Sequence, residues 1–583
     1  MIVSSLWRAY VVCGFLGLGG YMSKIKLSIV MIFNSLVFDY CLLQYGYDSG
    51  ILSGCLAMRE FQEKFSLQSN NLHYLILSVP LGTSCIMSFI SGPIADKIGR
   101  KKFVCVACII HLIGTITQMV ANTFASFLIG KLIAGLSIGM LAVICPLYQS
   151  EISLPEHRGR LISMHQLGVT VGFCIAFWIA YGTFNINNSL CWKIPYSLQI
   201  LNPVIMIIGV QFIPESPRWL IYQGRFAEAK EILQRVRGKK DQDDLELSME
   251  YTGLIQERNY DKKYTSKSYR SLLTKGIENN RKRTILGVGL HVMTQLTGIN
   301  ALMFYLPYIL ESTGIVETNS ALLGNGVSGM VNMLATILSF LYIDKWGRKP
   351  IMIKGAIAMA TWMCIIAILQ GVYFKRLSMN ESRSLIPMII YSSDSKASFV
   401  ILVFICLFLA CFALSWGSMG WIYPAEIYPE SIRARGLGIT TGASFATSIF
   451  VSQIAPVLFQ NIEWGTYLFF GALCLLQSYI IYIVYPETKG RSLEEIHLIF
   501  SGALVDQSAG AHHPQTAFEA LLYLQQFNVD LSRPNSSITV LPNHPSSAMV
   551  IEDHYGCTSE TAITSTTVSS TICHDIKNDI TMI

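Results

Sequence analysis

The sequence predicts an all-α membrane protein whose twelve transmembrane helices form two similar halves of six. Of its 583 residues, 52% are hydrophobic and only 14% are charged, against about 25% charged in a typical soluble domain. The apolar residues are gathered into stretches of about 20, the length that crosses ~30 Å of hydrocarbon as a helix. Short polar motifs of the first half recur in the same order in the second, which indicates an internal duplication.

Twelve stretches meet this length. They lie near residues 28–57, 72–95, 103–122, 126–149, 161–183, 195–213, 285–310, 320–343, 352–373, 399–423, 436–459 and 464–485. Lysine and arginine concentrate in the loops that follow the even-numbered stretches, for example at Arg100, Arg158, Arg348 and Arg433. Positive charge marks cytosolic loops, so we expect these loops and both termini to be cytosolic.

The same pattern divides the chain into five segments. They are an N-terminal segment (1–27), a six-helix half (28–213), a cytosolic linker (214–283), a second six-helix half (284–500) and a tail (501–583). The linker is rich in charged residues, and helical spacing in Arg225–Arg237 predicts short amphipathic helices. The Ser/Thr-rich tail is predicted to be disordered. We also interpret residues 21–41 as an insertion, such as a retained intron, with an uncleaved leading hydrophobic segment as the alternative. We expect glycosylation at Asn187 and Asn380 in extracellular loops.

The duplicated motifs are specific. GPIADKIGRKK (92–102) recurs as IDKWGRKP (343–350), PLYQSEISLPEHRGR (146–160) as YPAEIYPESIRARG (423–436), and PESPRW (214–219) as PETKGR (486–491). Two six-helix halves joined by a cytosolic linker are the plan of a transporter that exposes one central site alternately to either side of the membrane.

These motifs, together with QLTGIN at 295–300, resemble the sugar porter family of the major facilitator superfamily, and its fungal members most, from about Gly46 to Glu495. The resemblance implies the major facilitator fold and transport of a monosaccharide, first of all a hexose, across the plasma membrane by a monomer. It implies no enzyme activity and no cofactor. We expect no nucleic-acid partner, because the basic residues follow the cytosolic loops.

Opposite charges lie at the predicted cytosolic ends of the helices. They are Asp96, Arg100, Glu151, Arg158, Glu215, Arg218, Asp344, Arg348, Glu426, Arg433 and Glu487. Paired across the two halves, they would close a cytosolic gate when the cavity faces outside. The alternative is that they only mark loops.

A sugar offers many hydroxyl groups and an apolar face, so its site needs amides and an aromatic ring in mid-membrane. Candidates within apolar stretches are Gln166, Thr294, Gln295, Asn300, Asn332 and Trp421. Each amide could instead bond one helix to another, but the resemblance assigns these motif positions to the sugar. Thr294 replaces a glutamine that is common in the family, and Ser444 and Ser448 replace two asparagines, so the particular sugar stays open.

Asp48 lies in the apolar stretch LLQYGYDSG, where a carboxylate is costly without a partner. In proton-coupled sugar porters this aspartate faces a cation of the fourth span, which here is Lys131. The resemblance therefore implies symport with a proton as coupling ion, while uniport stays open because uncoupled members can keep the aspartate. Transport of a polyol, quinate or disaccharide, and a sugar sensor that does not transport, also remain. No metal site is predicted, since Cys105 and Cys108 form a C-x-x-C within an apolar helix, where packing is expected.

Overall fold

The computed structural model describes residues 43–56, 58–65, 70–153, 158–186, 188–237, 245–264, 268–275, 279–312, 318–373, 375–376, 390–391, 395–489, 496 and 499–500. The helices below belong to one compact unit, made of Met1–Thr274 and Asn280–Arg491. A second unit, Lys275–Asn279 with Ser492–Ile583, lies almost wholly outside the described residues. So do the expected insertion at 21–41, the tail, and both predicted glycosylation sites, Asn187 and Asn380.

The described residues of the first half form eight helices. They are α1 (43–56), α2 (Arg59–Lys64), α3 (Asn70–Ile98), α4 (Arg100–Met119), α5 (Phe124–Ile152), α6 (Arg158–Thr183), α7 (Leu190–Gln199) and α8 (Leu201–Gln211). The linker follows with α9 (Pro217–Gln223), α10 (Phe226–Arg237), α11 (Leu245–Tyr264) and a 3₁₀ turn at Tyr269–Leu273.

In the second half, the part of the chain that the structure describes also forms eight helices. They are α12 (Asn280–Leu296), α13 (Ile299–Ser312), α14 (Thr318–Tyr342), α15 (Arg348–Tyr373), α16 (Ser395–Leu414), α17 (Trp416–Ile427), α18 (Glu430–Asn461) and α19 (Gly465–Val484). Two short strands, β1 (Lys375–Arg376) and β2 (Ile390–Tyr391), pair antiparallel between α15 and α16.

Length and hydropathy of these helices support the predicted fold class. In the described part of the chain, ten helical segments are long and apolar enough to cross a membrane, and α14 adds a shorter apolar segment at Gly326–Tyr342. With α1, which falls inside the first predicted stretch, they account for all twelve predicted stretches. The prediction of an all-α membrane protein is confirmed.

Three of the predicted stretches consist of two helices each. The breaks lie at Ile200 between α7 and α8, at Thr297–Gly298 between α12 and α13, and at Ser415 between α16 and α17. Gly298 has φ +87°, a conformation that side chains with a Cβ rarely adopt. Gly417 and Gly420 could also have allowed a bend, but they lie inside α17. The bend is instead at Ser415, with φ −125° and ψ −81°.

Small residues let α1 approach α6 closely. A Cβ added to Gly46 would lie 1.9 Å from the carbonyl oxygen of Val169, and one added to Gly172 would lie 2.1 Å from that of Leu43. Helices that contact through small residues can bring their backbones together in a membrane. This contact fixes the helix that carries Asp48 against the inner wall of the first half.

The linker helices form their own small core. Leu220 and Ile221 of α9 pack with Ala229 of α10 and Leu254 of α11. The amphipathic helix predicted for Arg225–Arg237 is thereby confirmed as α10, whose apolar side faces this core.

Candidate functional site

A cavity lies between the two halves of the bundle. It is lined by α1 and α6 of the first half and by α12, α13, α14, α16, α17 and α18 of the second. The empty space among its lining residues is ≈ 830 Å³, a volume that includes space open to solvent. All six predicted substrate residues line it: Gln166, Thr294, Gln295, Asn300, Asn332 and Trp421.

Two amides of this cavity are held by two serines of α18. Gln295 donates from Nε2 to the hydroxyl of Ser444 (2.8 Å), and Asn300 donates from Nδ2 to the hydroxyl of Ser448 (2.6 Å). Asn300 also donates to Oε1 of Gln295 (2.6 Å). The two serines that depart from the family pattern therefore hold the side chains of Gln295 and Asn300 in their orientation.

Trp421 sits between two histidines. Its ring lies 3.9 Å from the ring of His165, tilted by 33°, and 5.2 Å from that of His291, nearly perpendicular at 75°. The indole Nε1–H donates to Oε1 of Gln166 at 3.3 Å. Because Trp421 belongs to the second half while His165 and Gln166 belong to the first, this aromatic group joins the two halves at the cavity wall.

Two further cavity residues, Thr294 and Asn332, differ in whether they have a polar atom available to bind a ligand. The Thr294 hydroxyl donates to the carbonyl oxygen of Leu290 in its own helix (2.9 Å), so Thr294 does not replace the missing amide. Oδ1 of Asn332 is buried and accepts no hydrogen bond from the described residues. A buried carbonyl oxygen of this kind needs a donor, and a ligand hydroxyl in the cavity would supply one.

Asp48 and Lys131 form an ion pair behind the cavity wall. Nζ of Lys131 lies 2.9 Å from Oδ1 of Asp48, and the side chains are 0% and 6% exposed. Gln199 donates from Nε2 to the same oxygen (2.9 Å). Lys131 also lies over the rings of Phe127 and Tyr196, at 6.0 and 5.4 Å from their centroids. The predicted partnership of Asp48 and Lys131 is present in the structure.

The repeated motifs meet at one end of the bundle, which we call the charged end and define by Asp96, Arg100, Asp344 and Arg348. Here each half builds the same buried pairs. Arg100 contacts Glu151 at 2.6 Å and Asp96 at 3.2 Å, and Arg348 contacts Glu426 at 2.9 Å and Asp344 at 3.3 Å.

Two glutamates of the PES and PET motifs hold helix N-termini at this end. Glu215 accepts from the backbone N–H groups of Arg100 and Lys101, and Glu487 accepts from those of Arg348 and Lys349. Carboxylates are favourable at the positive end of a helix dipole. Burial raises the pKa of the Glu215 carboxyl above its usual value, against the lowering effect of these N–H groups and of Arg100.

Arg160 and Arg435 cross from one half to the other, and Arg218 of the linker reaches the second half. Arg160 lies 3.4 Å from Asp344, Arg435 lies 3.7 Å from Asp96, and Arg218 of α9 lies 2.6 Å from Glu430 of α18. Glu430 also contacts Arg433 at 3.0 Å. These contacts hold the two halves together at the charged end.

The expected pairing at the charged end is therefore corrected in part. Arg100 and Arg348 pair with Glu151 and Glu426 of their own halves, and Arg433 pairs with Glu430 of its own helix. Glu215 binds the N-terminus of α4. Asp96 and Asp344 pair across the halves and Arg218 pairs from the linker with the second half, and their partners Arg435, Arg160 and Glu430 were not predicted.

The sequence nevertheless contains signals for the missed residues. Glu430 follows a proline, as Glu156 does in the first copy of the same motif, so the duplication itself points to it. His111, His165, Gln199 and His291 are polar residues inside predicted spans, the criterion that selected Gln166 and Asn332. What the sequence lacks is any indication that His165 and His291 flank one tryptophan.

The fold and the cavity together define a class of protein: a helical membrane carrier of two six-helix halves with a polar cavity between them. The family described as "Sugar (and other) transporter" matches residues 35–500. The chain belongs to this sugar transporter family. The predicted membership is confirmed, and the chain is a transporter and not an enzyme.

Individual relatives agree with the family. The chain is 30% identical over 459 residues to a high-affinity glucose transporter of Kluyveromyces lactis, covering 78% of this chain and 82% of the relative. It is 28% identical over 505 residues to the low-affinity glucose transporter HXT3 of Saccharomyces cerevisiae, covering 85% of each. The solved proton:xylose symporter XylE, bound to 6-bromo-6-deoxy-D-glucose, is similar in fold, with a TM-score of 0.69 and 22% identity over 81% of this chain and 99% of XylE.

Proposed function

We propose that this protein carries a monosaccharide, first of all a hexose, across the plasma membrane by alternating access and in symport with a proton. The observation that carries the proposal is the cavity between the halves, where Gln166, Gln295, Asn300 and Asn332 surround a space walled by Trp421. Amides suit sugar hydroxyls and the indole ring suits the apolar face of a pyranose. The names of the glucose-transporting relatives support the same substrate class.

The positive-inside rule supports placing the charged end in the cytosol, with both termini on that side. In the described conformation the halves are then joined at the cytosolic end by Arg160, Arg218 and Arg435. These three contacts would have to separate for the cavity to open inward. We therefore assign them to the cytosolic gate, while the pairs inside each half keep the helices of that half together.

Proton coupling is supported by Asp48. Its helix α1 also contributes Tyr45, Gly46 and Ser49 to the cavity wall, so a change at Asp48 can be transmitted to the bound sugar through one helix. A buried carboxylate is driven towards its neutral form by desolvation and towards its charged form by a cation. A cycle that alters the hydration of Asp48 or its contact with Lys131 would bind and release a proton.

The same proposal covers the linker, the glycosylation sites and the oligomeric state. The linker 214–283 would lie on the cytosolic surface, Asn187 and Asn380 would be accessible to glycosylation outside, and one monomer would form the whole pathway. The alternatives of a uniporter, a carrier of a polyol, quinate or disaccharide, and a sensor are outcomes of the following test.

The test is uptake of radiolabelled hexoses, pentoses and polyols in yeast that lacks its own hexose transporters, with and without a protonophore. We expect saturable hexose uptake, accumulation above the external concentration, and loss of accumulation with the protonophore. Saturable uptake that is indifferent to the protonophore would establish a uniporter. Surface expression without uptake of any compound would reject transport and favour a sensor.

A further inference from the structure

Two buried side chains extend the cluster around Asp48 beyond its ion pair. Gln199 of α7 and His111 of α4 are both 0% exposed. Nε2 of Gln199 lies 2.9 Å from Oδ1 of Asp48 and 3.1 Å from Nε2 of His111. Four helices, α1, α4, α5 and α7, therefore bring one side chain each to a single polar site: Asp48, His111, Lys131 and Gln199.

The donors and acceptors of this site can be assigned from chemistry. An ionised carboxylate only accepts hydrogen bonds, so the group of Gln199 that contacts Asp48 is the NH₂ group. The second hydrogen of that group points to Nε2 of His111, which must then accept through its lone pair. His111 is therefore neutral, with its proton on Nδ1. Oε1 of Gln199 accepts no hydrogen bond from the described residues.

This arrangement favours one protonation state of Asp48. As long as His111 accepts from Gln199, the amide is held with its donor side towards the carboxylate. Without an acceptor at His111, the amide could turn over and present Oε1 to Asp48, an arrangement that suits a protonated carboxyl group. His111 thus acts on Asp48 through Gln199.

The other titratable groups around the site are uncharged at physiological pH by their ordinary pKa values. They are the hydroxyl of Tyr45 and the thiol of Cys55 on α1, and the hydroxyl of Tyr196 on α7. The remaining charges of α4 and α5, Arg100–Lys102 and Glu151, lie at the charged end of the bundle, Lys193 of α7 lies over the ring of Trp192, and α8 contains none. Asp48 and Lys131 are thus the charged members of the site.

We propose that Gln199 and His111 are positioning residues of the proton site, which hold Asp48 in its carboxylate form while the cavity faces outside. His111 supplies the acceptor that orients the Gln199 amide, and Gln199 supplies the second donor to Asp48 beside Lys131. The proton taken up with the sugar binds to Asp48 and displaces this arrangement. The proposal rests on the proposed proton symport.

The test is the dependence of concentrative uptake on external pH. His111→Phe removes the acceptor, so protonated Asp48 becomes easier to form and the pH midpoint of uptake moves upward. A lost hydrogen bond to a charged group corresponds to a shift of about one pH unit. Gln199→Leu removes the donor itself and is expected to shift the midpoint in the same direction.

A conservative variant separates positioning from packing. His111→Gln keeps a buried acceptor for the Gln199 amide and should restore the midpoint of the unmodified protein, whereas a residue needed only to fill space would tolerate Phe at least as well. As a control, Gln118→Leu removes another buried polar group of α4, one that bonds to Gly114 and Gly130. The surface abundance of Gln118→Leu can fall, but the pH midpoint of its uptake should equal that of the unmodified protein.

The outcomes distinguish this inference from the function on which it rests. If uptake by the unmodified protein shows no accumulation and no protonophore effect, the proton symport itself is rejected and the inference with it. If the unmodified protein is coupled but His111→Phe and Gln199→Leu keep its pH midpoint, the symport stands and the positioning role is overturned. Where one variant does not reach the surface, the other decides.

Discussion

Nζ of Lys131 lies 2.9 Å from Oδ1 of Asp48, with both side chains almost completely buried. A buried ion pair is stable only while both partners remain, because removal of one leaves the other charge without compensation. A proton carrier differs from a static pair in that its charged and neutral forms must both be reached during the cycle. Substitutions of the two partners therefore distinguish these roles.

Asp48→Asn should abolish accumulation of sugar while exchange of labelled for unlabelled sugar continues. Asparagine keeps the size of the side chain and an acceptor for Gln199, but it cannot take up a proton. The two measurements are concentrative uptake at acid external pH and counterflow in cells with equal surface amounts of carrier. Concentrative uptake equal to that of the unmodified protein would end the assignment of Asp48 as the proton carrier.

The same substitution tests the structural alternative. If the pair only holds α1 and α5 together, Asp48→Asn should lower surface abundance, because an unpaired buried Lys131 costs about 3–5 kcal/mol. Combining Asp48→Asn with Lys131→Gln removes that charge and should restore abundance without restoring accumulation. Restored accumulation in the double variant would contradict proton transport through Asp48.

Lys131→Arg should preserve coupling, whereas Lys131→Leu should strongly reduce surface abundance. Arginine keeps the positive charge beside Asp48, and its planar group can still lie against the ring of Tyr196. Leucine leaves a buried carboxylate that can persist only by taking up a proton. The measurements are the ratio of internal to external sugar and the amount of protein at the cell surface. If Lys131→Arg reaches the cell surface but does not accumulate sugar, a positive charge at this position is not sufficient for coupling.

The proton pair also shows what the sequence determines. A carboxylate in an apolar span needs a partner, so Asp48 can be recognised as a candidate functional residue from the sequence. The family pattern indicates Lys131 as its partner. Gln199 and His111 cannot be recognised in this way, because an amide or a neutral imidazole in a span is as often a contact between helices as part of a functional site. Only the three-dimensional packing of α4 and α7 brings Gln199 to Oδ1 of Asp48 and His111 to Gln199.

Trp421→Ala and Gln295→Ala should each raise the apparent KM for the transported sugar by about 5–150-fold, with surface abundance retained. Loss of ring stacking or of a buried hydrogen-bond partner costs about 1–3 kcal/mol. We also expect Ser444→Ala to weaken sugar binding less than Gln295→Ala does, because Asn300 still donates to the Gln295 amide oxygen. The measurement is initial uptake rate against sugar concentration.

A matched control for the tryptophan is Trp362→Ala. Trp362 lies on α15 and donates to the sulfur of Cys411 within the second half, outside the cavity lining. Its loss should lower stability without changing the apparent KM. An unchanged KM in both Trp421→Ala and Gln295→Ala would show that the sugar does not bind in this cavity.

At the charged end, the sequence identified the charged motifs but not which residue pairs with which. Composition and duplication place the charges at the cytosolic ends of helices, yet several carboxylates and arginines lie within reach of one another in each motif. Which arginine pairs inside a half and which crosses depends on the packing of α6 against α14 and of α3 against α18, and on where α9 places Arg218. Arg160, Arg435 and Glu430 were missed for this reason.

Arg218→Ala should shift the carrier towards the conformation that is open at the charged end. Arg218 joins Glu430 across the halves at 2.6 Å with both side chains largely buried, and a hydrogen bond between charged groups contributes about 1.5–3 kcal/mol. The shift should appear as faster labelling, from the cytosolic side, of a cysteine introduced at Gly420 on the cavity wall. The same variant should bind sugar more weakly from the outside.

The control for this prediction is an ion pair of the same linker that stays on the surface. Arg235 of α10 contacts Glu231 at 3.1 Å, with side chains 66% and 69% exposed, and exposed pairs contribute little because water and salt screen them. Arg235→Ala should therefore leave both labelling and sugar binding unchanged. Equal labelling rates in Arg218→Ala, Arg235→Ala and the unmodified carrier would show that Arg218 and Glu430 do not hold the gate closed, and would leave Arg160 and Arg435 to hold it.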